Sequence, residues 1–254
     1  MAPSKLKKAI GAMKDQTSIS LAKVGSSDSL SDLEVAIVKA TRHEEYPAEE
    51  RHVREILNLT RFSRAHVAAC VTIVSKRLGK TKNWVVAIKA LMLIHRLLND
   101  GDAAYEQEIF FATRRGTRLL NMSGFRDSSR SEDSWDFSAF VRTYALYLDE
   151  QLELRMQNHR RCRKQRGHRL EYDNQNEEEV PALQEMKIEM VYSRIHHYVH
   201  ILQRFLACKP TEGTRVAGRL VTTAWNAKTL APMVNNTMAG SADTSVASSS
   251  RVQP

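Results

Sequence analysis

Residues 32–61 read DLEVAIVKATRHEEYPAEERHVREILNLTR, and their reading decides the fold. Ser31 is a good N-cap and Glu34 follows three residues on, a capping-box pattern. Leu33, Ala36, Ile37 and Ala40 then recur at helical spacing. Lys39, Arg42 and His43 fall in the last turn, and Pro47 ends the helix or lies just beyond it. A second helix begins near Ala48 and buries Val53, Ile56 and Leu57. The stretch therefore predicts helix–loop–helix.

The cations in this stretch carry the functional signal. Lys39 closes one helix, and Arg51 and His52 open the next. A helix N-terminus offers free backbone N–H groups and the positive end of the dipole, which suits phosphate. Cations from two helices converging there would make a surface phosphate site; the alternative is a solvated basic face.

The same helical reading extends in both directions. Before it, residues 1–25 form a basic amphipathic segment, with Leu6, Ile10 and Met13 on one stripe and Lys5, Lys7, Lys8 and Lys14 around it. Such a helix could lie on an anionic membrane surface or pack on the core. Gly25 to Ser31 reads as a linker. After it, Phe62 to Gly79 predicts a helix capped by Ser63, with Val67, Val71 and Val74 inward. Asn83 to Asp100 is apolar nearly all round and should be central. A shorter helix follows from Ala103 to Arg114. Residues 121–134 read as a polar loop. The next helix runs from near Trp135 to about Gln157, with Phe137, Phe140, Val141, Tyr144, Leu148 and Leu152 as its core face. Arg155 to Arg169 holds seven Lys and Arg and no acid, and Asp173 to Glu179 turns acidic, so 158–180 reads as a charged linker. A last helix from Pro181 to Cys208 should bury Met186, Met190, Val191, Ile195, Leu202, Phe205 and Leu206. Residues 209–254 lose periodicity and read as an irregular, disordered tail.

Composition bounds the function. At 254 residues with 42% apolar and 26% charged, the chain is a globular protein with a real core. Its net charge of +9 implies an anionic partner: nucleic acid, anionic lipid or an acidic protein. Three cysteines, Cys70, Cys162 and Cys208, are too few and too far apart for a disulfide framework and suit a reducing compartment. No signal peptide, membrane span or lipidation box is read, so membrane attachment would be peripheral. His196 and His200 stand i, i+4, but no third ligand joins them; His66 and Cys70 share a face without an orienting partner. The expectation is no catalytic residue, no metal site, no cofactor and no enzyme.

Four ordered segments resemble the ANTH domain of the monomeric clathrin assembly proteins, the plant members in particular. They are SKLKKAIGAMKDQTSISLAKVG at 4–25, VAIVKATRHEE and RHVREIL within 35–57, NWVVAIKALMLIHRLLNDGD at 83–102, and FSAFVRTYALYLDEQLELR at 137–155. The resemblance runs from about residue 4 to about residue 208. It implies an all-α fold, a superhelical stack of antiparallel helix pairs (an ENTH/ANTH-like α-solenoid), with an incomplete domain over 26–208. In that family a cluster spaced Lys-x9-Lys-x-Lys-His binds phosphatidylinositol 4,5-bisphosphate. Its first lysine falls on Lys39, its third on Arg51, which keeps the charge and can grip phosphate as a fork, and its histidine on His52. The second lysine falls on Glu49, which reverses the charge within an acidic loop of Glu44, Glu45, Glu49 and Glu50.

What the resemblance implies is a phosphoinositide-binding endocytic adaptor. Lys39, Arg51 and His52 would bind the headgroup, with Lys5, Lys7, Lys8 and Lys14 in support. Clathrin and SNAREs would be its partners. It would be cytoplasmic, peripheral on plasma-membrane clathrin-coated pits and on clathrin-coated vesicles, with the Golgi apparatus as a further location. Two other readings rest on the residues alone. One is non-specific nucleic-acid binding through Arg155–Arg169, with no specific nucleic acid expected. The other is a protein–protein scaffold independent of lipid.

Overall fold

The computed structural model describes residues 3–25, 28–114, 116–117, 119–128, 133–168, 188–211 and 213–222. Among them every regular element is a helix. In chain order these are α1 (Pro3–Gly25), α2 (Asp28–Ala40), α3 (Glu50–Thr60), α4 (Arg64–Lys80), α5 (Trp84–Asp100), α6 (Ala104–Arg114), α7 (Ser134–His168), α8 (Ile188–Ala207) and α9 (215–222). They build the expected all-α solenoid. No helix among the described residues is long and apolar enough to cross a membrane.

The central helix is α5. Asn83 starts it by accepting from the Val85 and Val86 backbone N–H groups at 2.9 and 3.2 Å. Nearly every α5 residue after that is buried, because α2, α3, α4, α6 and α7 all pack on it. At about 1.5–3 kcal/mol per buried Leu, Ile or Val, this helix is the largest single source of hydrophobic stabilisation. Its N-terminus is fixed to α7 by Trp84, whose ring stacks on Phe137 at 4.1 Å and 3°. Ser63 caps α4 by accepting from His66 N–H, and Val67, Val71 and Val74 face the core as the spacing predicts.

Helix α1 is packed, not free. Its Ile19 and Ala22 cluster with Val35 and Val38 of α2, while Asp15 reaches His43 just past the end of α2. The two helices therefore run antiparallel. Gly11 lies so close to His43 that a Cβ there would fall 2.7 Å from the His43 Cβ, so a side chain at that position would push α1 outward. Residues 3–10 extend past this contact, by about 12 Å at 1.5 Å per residue.

Two expected boundaries differ here. Helix α2 starts at Asp28, so Ser31 lies buried inside it instead of capping it, and the Ser/Gly linker is shorter than expected. Helix α7 does not stop near Gln157 but continues to His168, so 158–168 is helix and not linker. Arg155 donates to the Leu98 carbonyl at 2.7 Å and pairs with Glu106, His159 meets the same Glu106 at 2.6 Å, and Arg160 sits over the Phe110 ring. These contacts hold α7 against α5 and α6 as far as Arg160. The rest of the expected linker, 169–180, lies outside the described residues, as do Met186 and the start of the last helix at Pro181.

The spacing in α8 predicts a buried apolar stripe, yet none of its residues is buried. Ile195, Leu202, Phe205 and Leu206 stand about half exposed because α8 leans chiefly on α7. A cavity of about 380 Å³ opens between α7, α8 and α9, lined by Tyr144, Tyr147, Phe205 and Pro210 among others. Finally, the stretch after residue 208 is not irregular throughout. Residues 215–222 form α9, and Ala217 and Leu220 join the main core at 0% and 2% exposure. Residues 223–254 lie outside the described ones.

Candidate functional site

The candidate site surrounds loop 41–49, which joins α2 to α3. The loop is held by cations from below. Lys89 Nζ, on α5, donates to the carbonyls of Arg42 at 3.2 Å and Glu44 at 2.6 Å. Burial pushes the Lys89 amine down to about 8, with the nearby Glu44 and Asp15 charges opposing that shift. Further along α5, Arg96 grips Glu50 with both terminal nitrogens at 3.0 and 2.9 Å and Asp100 at 2.7 Å. The Arg96 hydrogen bonds outweigh burial and hold the Glu50 carboxyl below its usual range. The loop thus runs down the side of α5 from Lys89 towards Arg96.

A second anchor sits at the start of the loop. Asp15 is buried and accepts from the His43 backbone N–H and Nδ1, both at 2.9 Å, and from Arg77 Nη2 at 2.9 Å. Arg77 also donates to the Thr41 carbonyl at 2.8 Å. Three helices, α1, α2 and α4, are therefore clamped where the loop begins.

The three expected headgroup residues fall in different settings. Lys39 is half-buried in the last turn of α2 and makes no ion pair among the described residues. Arg51 is exposed in the first turn of α3 and pairs with Glu49 at 2.6 Å, both side chains being more than half in water. His52 is turned inward, 5% exposed, with Nδ1 3.3 Å from Glu55 Oε2 and Nε2 buried without a hydrogen-bond partner. The structure therefore places Lys39 and Arg51 on opposite sides of one loop and removes the His52 ring from the surface. The helical period explains this: His52 precedes Val53 and sits four before Ile56, on the edge of the buried stripe. The acidity of the loop is largely answered locally, since Glu49 is bound to Arg51 and Glu50 to Arg96 and Arg54.

Of the supporting lysines, Lys8 and Lys14 are exposed on α1, and the Lys5 and Lys7 side chains lie outside the described ones. Leu6, Ile10 and Met13 stay 57%, 45% and 70% exposed on the same projecting half of α1. Further cations, which the sequence groups at the end of the Phe62–Gly79 helix as an extension of the basic surface, share this end of the solenoid. Lys76 and Lys80 are exposed at the end of α4, and Lys82 at the start of α5. Arg77 and Lys89 are what tie those helix ends to the loop.

Burial and pairing account for Cys70 and His66. Cys70 is buried and its thiol is pushed up to about 12, so a thiolate nucleophile is not available there. His66 Nδ1 is engaged by the Leu59 carbonyl at 3.0 Å. The His196 and His200 rings lie 4.9 Å apart on α8.

Comparison with known proteins places this architecture. The model of the family described as ANTH domain matches residues 32–227. Two Arabidopsis thaliana relatives are "Putative clathrin assembly protein At4g02650", 57% identical over 229 residues, and "Putative clathrin assembly protein At1g03050", 58% identical over 228. These alignments cover 83% and 85% of this chain. A third, "Clathrin coat assembly protein AP180" from the same plant, is 44% identical over 239 residues, covering 86% of this chain. The chain spans 37%, 38% and 36% of the lengths of these relatives. With a family match over most of its length and a helical solenoid to carry it, the chain belongs to the ANTH domain family.

Proposed function

We propose that this chain is the membrane-docking module of a clathrin-coat adaptor, and that it binds phosphoinositide-bearing surfaces through the end of the solenoid where loop 41–49 begins. The observation that carries the reading is the overhang of α1. Residues 3–10 project past the Asp15–His43–Arg77 clamp, and Leu6, Ile10 and Met13 are exposed beside Lys8 and Lys14. An apolar stripe rimmed by lysines, rigidly mounted on a basic domain, is a peripheral membrane contact. Lys39 and Arg51 supply the headgroup cations. The Arg51–Glu49 pair is surface-exposed, so it is weak and a polyanion can displace it.

His52 acts differently from the other two in this reading: it supports the first turn of α3 from inside and does not touch phosphate. Clathrin as a partner rests on the names of the relatives, and SNARE recognition on the family resemblance alone. Membrane recruitment would link lipid to coat assembly at coated pits and vesicles. The contacts of Arg155, His159 and Arg160 with α5 and α6 speak against a free basic strip for nucleic acid.

Vesicle co-sedimentation tests the reading. Neutral, phosphatidylserine and phosphatidylinositol 4,5-bisphosphate vesicles are compared at matched surface charge. The protein should pellet with the inositide vesicles most. Losing two cations at about 1 kcal/mol each predicts roughly a thirtyfold weakening for Lys39→Gln with Arg51→Gln, and more for the glutamate pair. Unchanged binding of the double variant would remove the site.

A further inference from the structure

The α7 corner of the same solenoid end carries an aromatic that the loop 41–49 site does not use. Trp135, in the first turn of α7, is 70% exposed. Arg126 lies over its ring, with Cζ 5.8 Å from the centroid. Their scaffold is rigid. Two residues on, Phe137 stacks on Trp84. The Trp84 backbone N–H donates to the buried Asp127 at 3.0 Å, and Ser128 donates its backbone N–H to the Lys82 carbonyl at 2.8 Å. Asp127 in turn takes its own backbone N–H to Ser138 Oγ at 2.8 Å.

This corner lies at the membrane-docking end for a geometric reason. Lys89, less than two turns into α5, binds the carbonyls of Arg42 and Glu44. The start of α5 is therefore beside the start of loop 41–49, and the start of α7 is beside the start of α5. Lys80 and Lys82 are exposed where α4 hands over to α5. Two neighbouring acids are engaged by the chain after α8: Asp136 accepts from Thr211 at 3.2 Å, and the Asp133 carboxylate faces Gly213.

We infer that Trp135 and Arg126, with Lys80 and Lys82, form a second membrane foot that inserts an indole at the interface of an anionic bilayer while the guanidinium takes a lipid phosphate. A mostly exposed Trp is costly in water but favoured at the headgroup level, where its ring is apolar and its N–H finds a partner. Stacking on the indole uses the face of Arg126 and leaves its N–H fork for phosphate. Charge complementarity with lipid is the argument for this occupant over a protein. With the α1 overhang, the foot gives two points of attachment on one end of the solenoid and so fixes its tilt. The inference rests on the membrane-docking reading above.

The test uses the full chain with Trp225→Phe, so that buried Trp84 and exposed Trp135 are the remaining tryptophans. Emission is recorded with inositide vesicles containing brominated phosphatidylcholine, alongside co-sedimentation. Trp135 emission should move to the blue and be quenched by the brominated lipid, as befits an indole at the headgroup level. Adding Trp135→Phe should abolish the quenching. Trp135→Ala with Arg126→Gln should weaken pelleting by roughly five- to tenfold while helicity stays unchanged. Pelleting with unquenched, unshifted Trp135 emission would overturn the second foot and leave the docking reading intact. Failure to pellet with any vesicle would sink both.

Discussion

Arg77 Nη2 lies 2.9 Å from Asp15 Oδ1, joining the end of α4 to the middle of α1 across 62 positions of chain. Both side chains are nearly buried. The pair decides whether α1 is a docked helix with a projecting tip or a loose tail. Removing one partner of a buried pair leaves an uncompensated charge, a cost of about 3–5 kcal/mol.

Asp15→Asn should therefore release α1. Hydrogen exchange of amides in residues 8–23 should speed up strongly while α5 remains protected, because only the α1 contact is lost. The pH dependence has a defined sign. Burial pushes the Asp15 carboxyl up, but hydrogen bonds from His43 and Arg77 outweigh it and hold it below its usual value. The folded state thus binds fewer protons than the unfolded chain just below about pH 4. Docking is fully present at pH 5 and weakens as pH falls through the depressed value. Equal α1 exchange in wild type and Asp15→Asn at pH 7 would show that the clamp does not hold the helix.

His52 and Arg51 are neighbours with opposite roles. His52→Ala should cost about 1–3 kcal/mol of unfolding free energy, since it empties a buried position. Arg51→Gln should stay within about 0.5 kcal/mol of wild type, because its pair with Glu49 is in water. Urea denaturation of the two variants separates them. A neutral His52→Ala would return the imidazole to the list of headgroup contacts.

Most of this fold was legible because its helices advertise themselves. The Ser63 cap, the Val67–Val71–Val74 stripe and the nearly all-apolar α5 each state a helix and its inward face. What could not be read was how far side chains are used. Ser31 followed by Glu34 satisfies a capping pattern, yet the helix continues past it in the N-terminal direction to Asp28, since nothing in residues 28–30 forbids helix. The basic run after Arg155 reads as solvated charge until Glu106 and Phe110 are brought beside it from α6. The Lys-x9-Lys-x-Lys-His spacing assigns His52 to the headgroup set, and a spacing cannot say that the ring falls on the buried edge of α3. Nor could sequence alone pair Trp135 with Arg126, which are joined only by the fold of the loop between them.

Helix α9 belongs to the core although its sequence is weakly periodic. Leu220 is 2% exposed and Ala217 fully buried against the same cluster as α7. Leu220→Ala should destabilise the protein by about 2–5 kcal/mol, the usual range for a buried leucine. Trypsin offers a second readout. Arg215 and Arg219 lie within the helix, so native protein should resist cleavage there, and Leu220→Ala should become sensitive. Rapid cleavage of the wild type at Arg215 would show that the domain core ends before α9.

Lys89 gives the alkaline counterpart of Asp15. Its amine is almost fully buried under loop 41–49, and burial lowers it to about 8, against about 10.4 in an unfolded chain. Between those values the unfolded state binds the extra proton, so the contribution of Lys89 to stability rises with pH. Two units at 1.36 kcal/mol each set the scale at about 3 kcal/mol. Lys89→Met removes the titration along with two hydrogen bonds to the loop. The stability difference, wild type minus variant, should be flat below pH 7 and climb in favour of wild type from pH 8 to 10. Urea midpoints of both proteins at pH 7, 8, 9 and 10 measure it, with other titrating groups cancelling in the difference. A difference that stays constant through pH 10 would mean that the Lys89 amine titrates as it does in water. It would then not be the desolvated prop of the loop that carries Arg51.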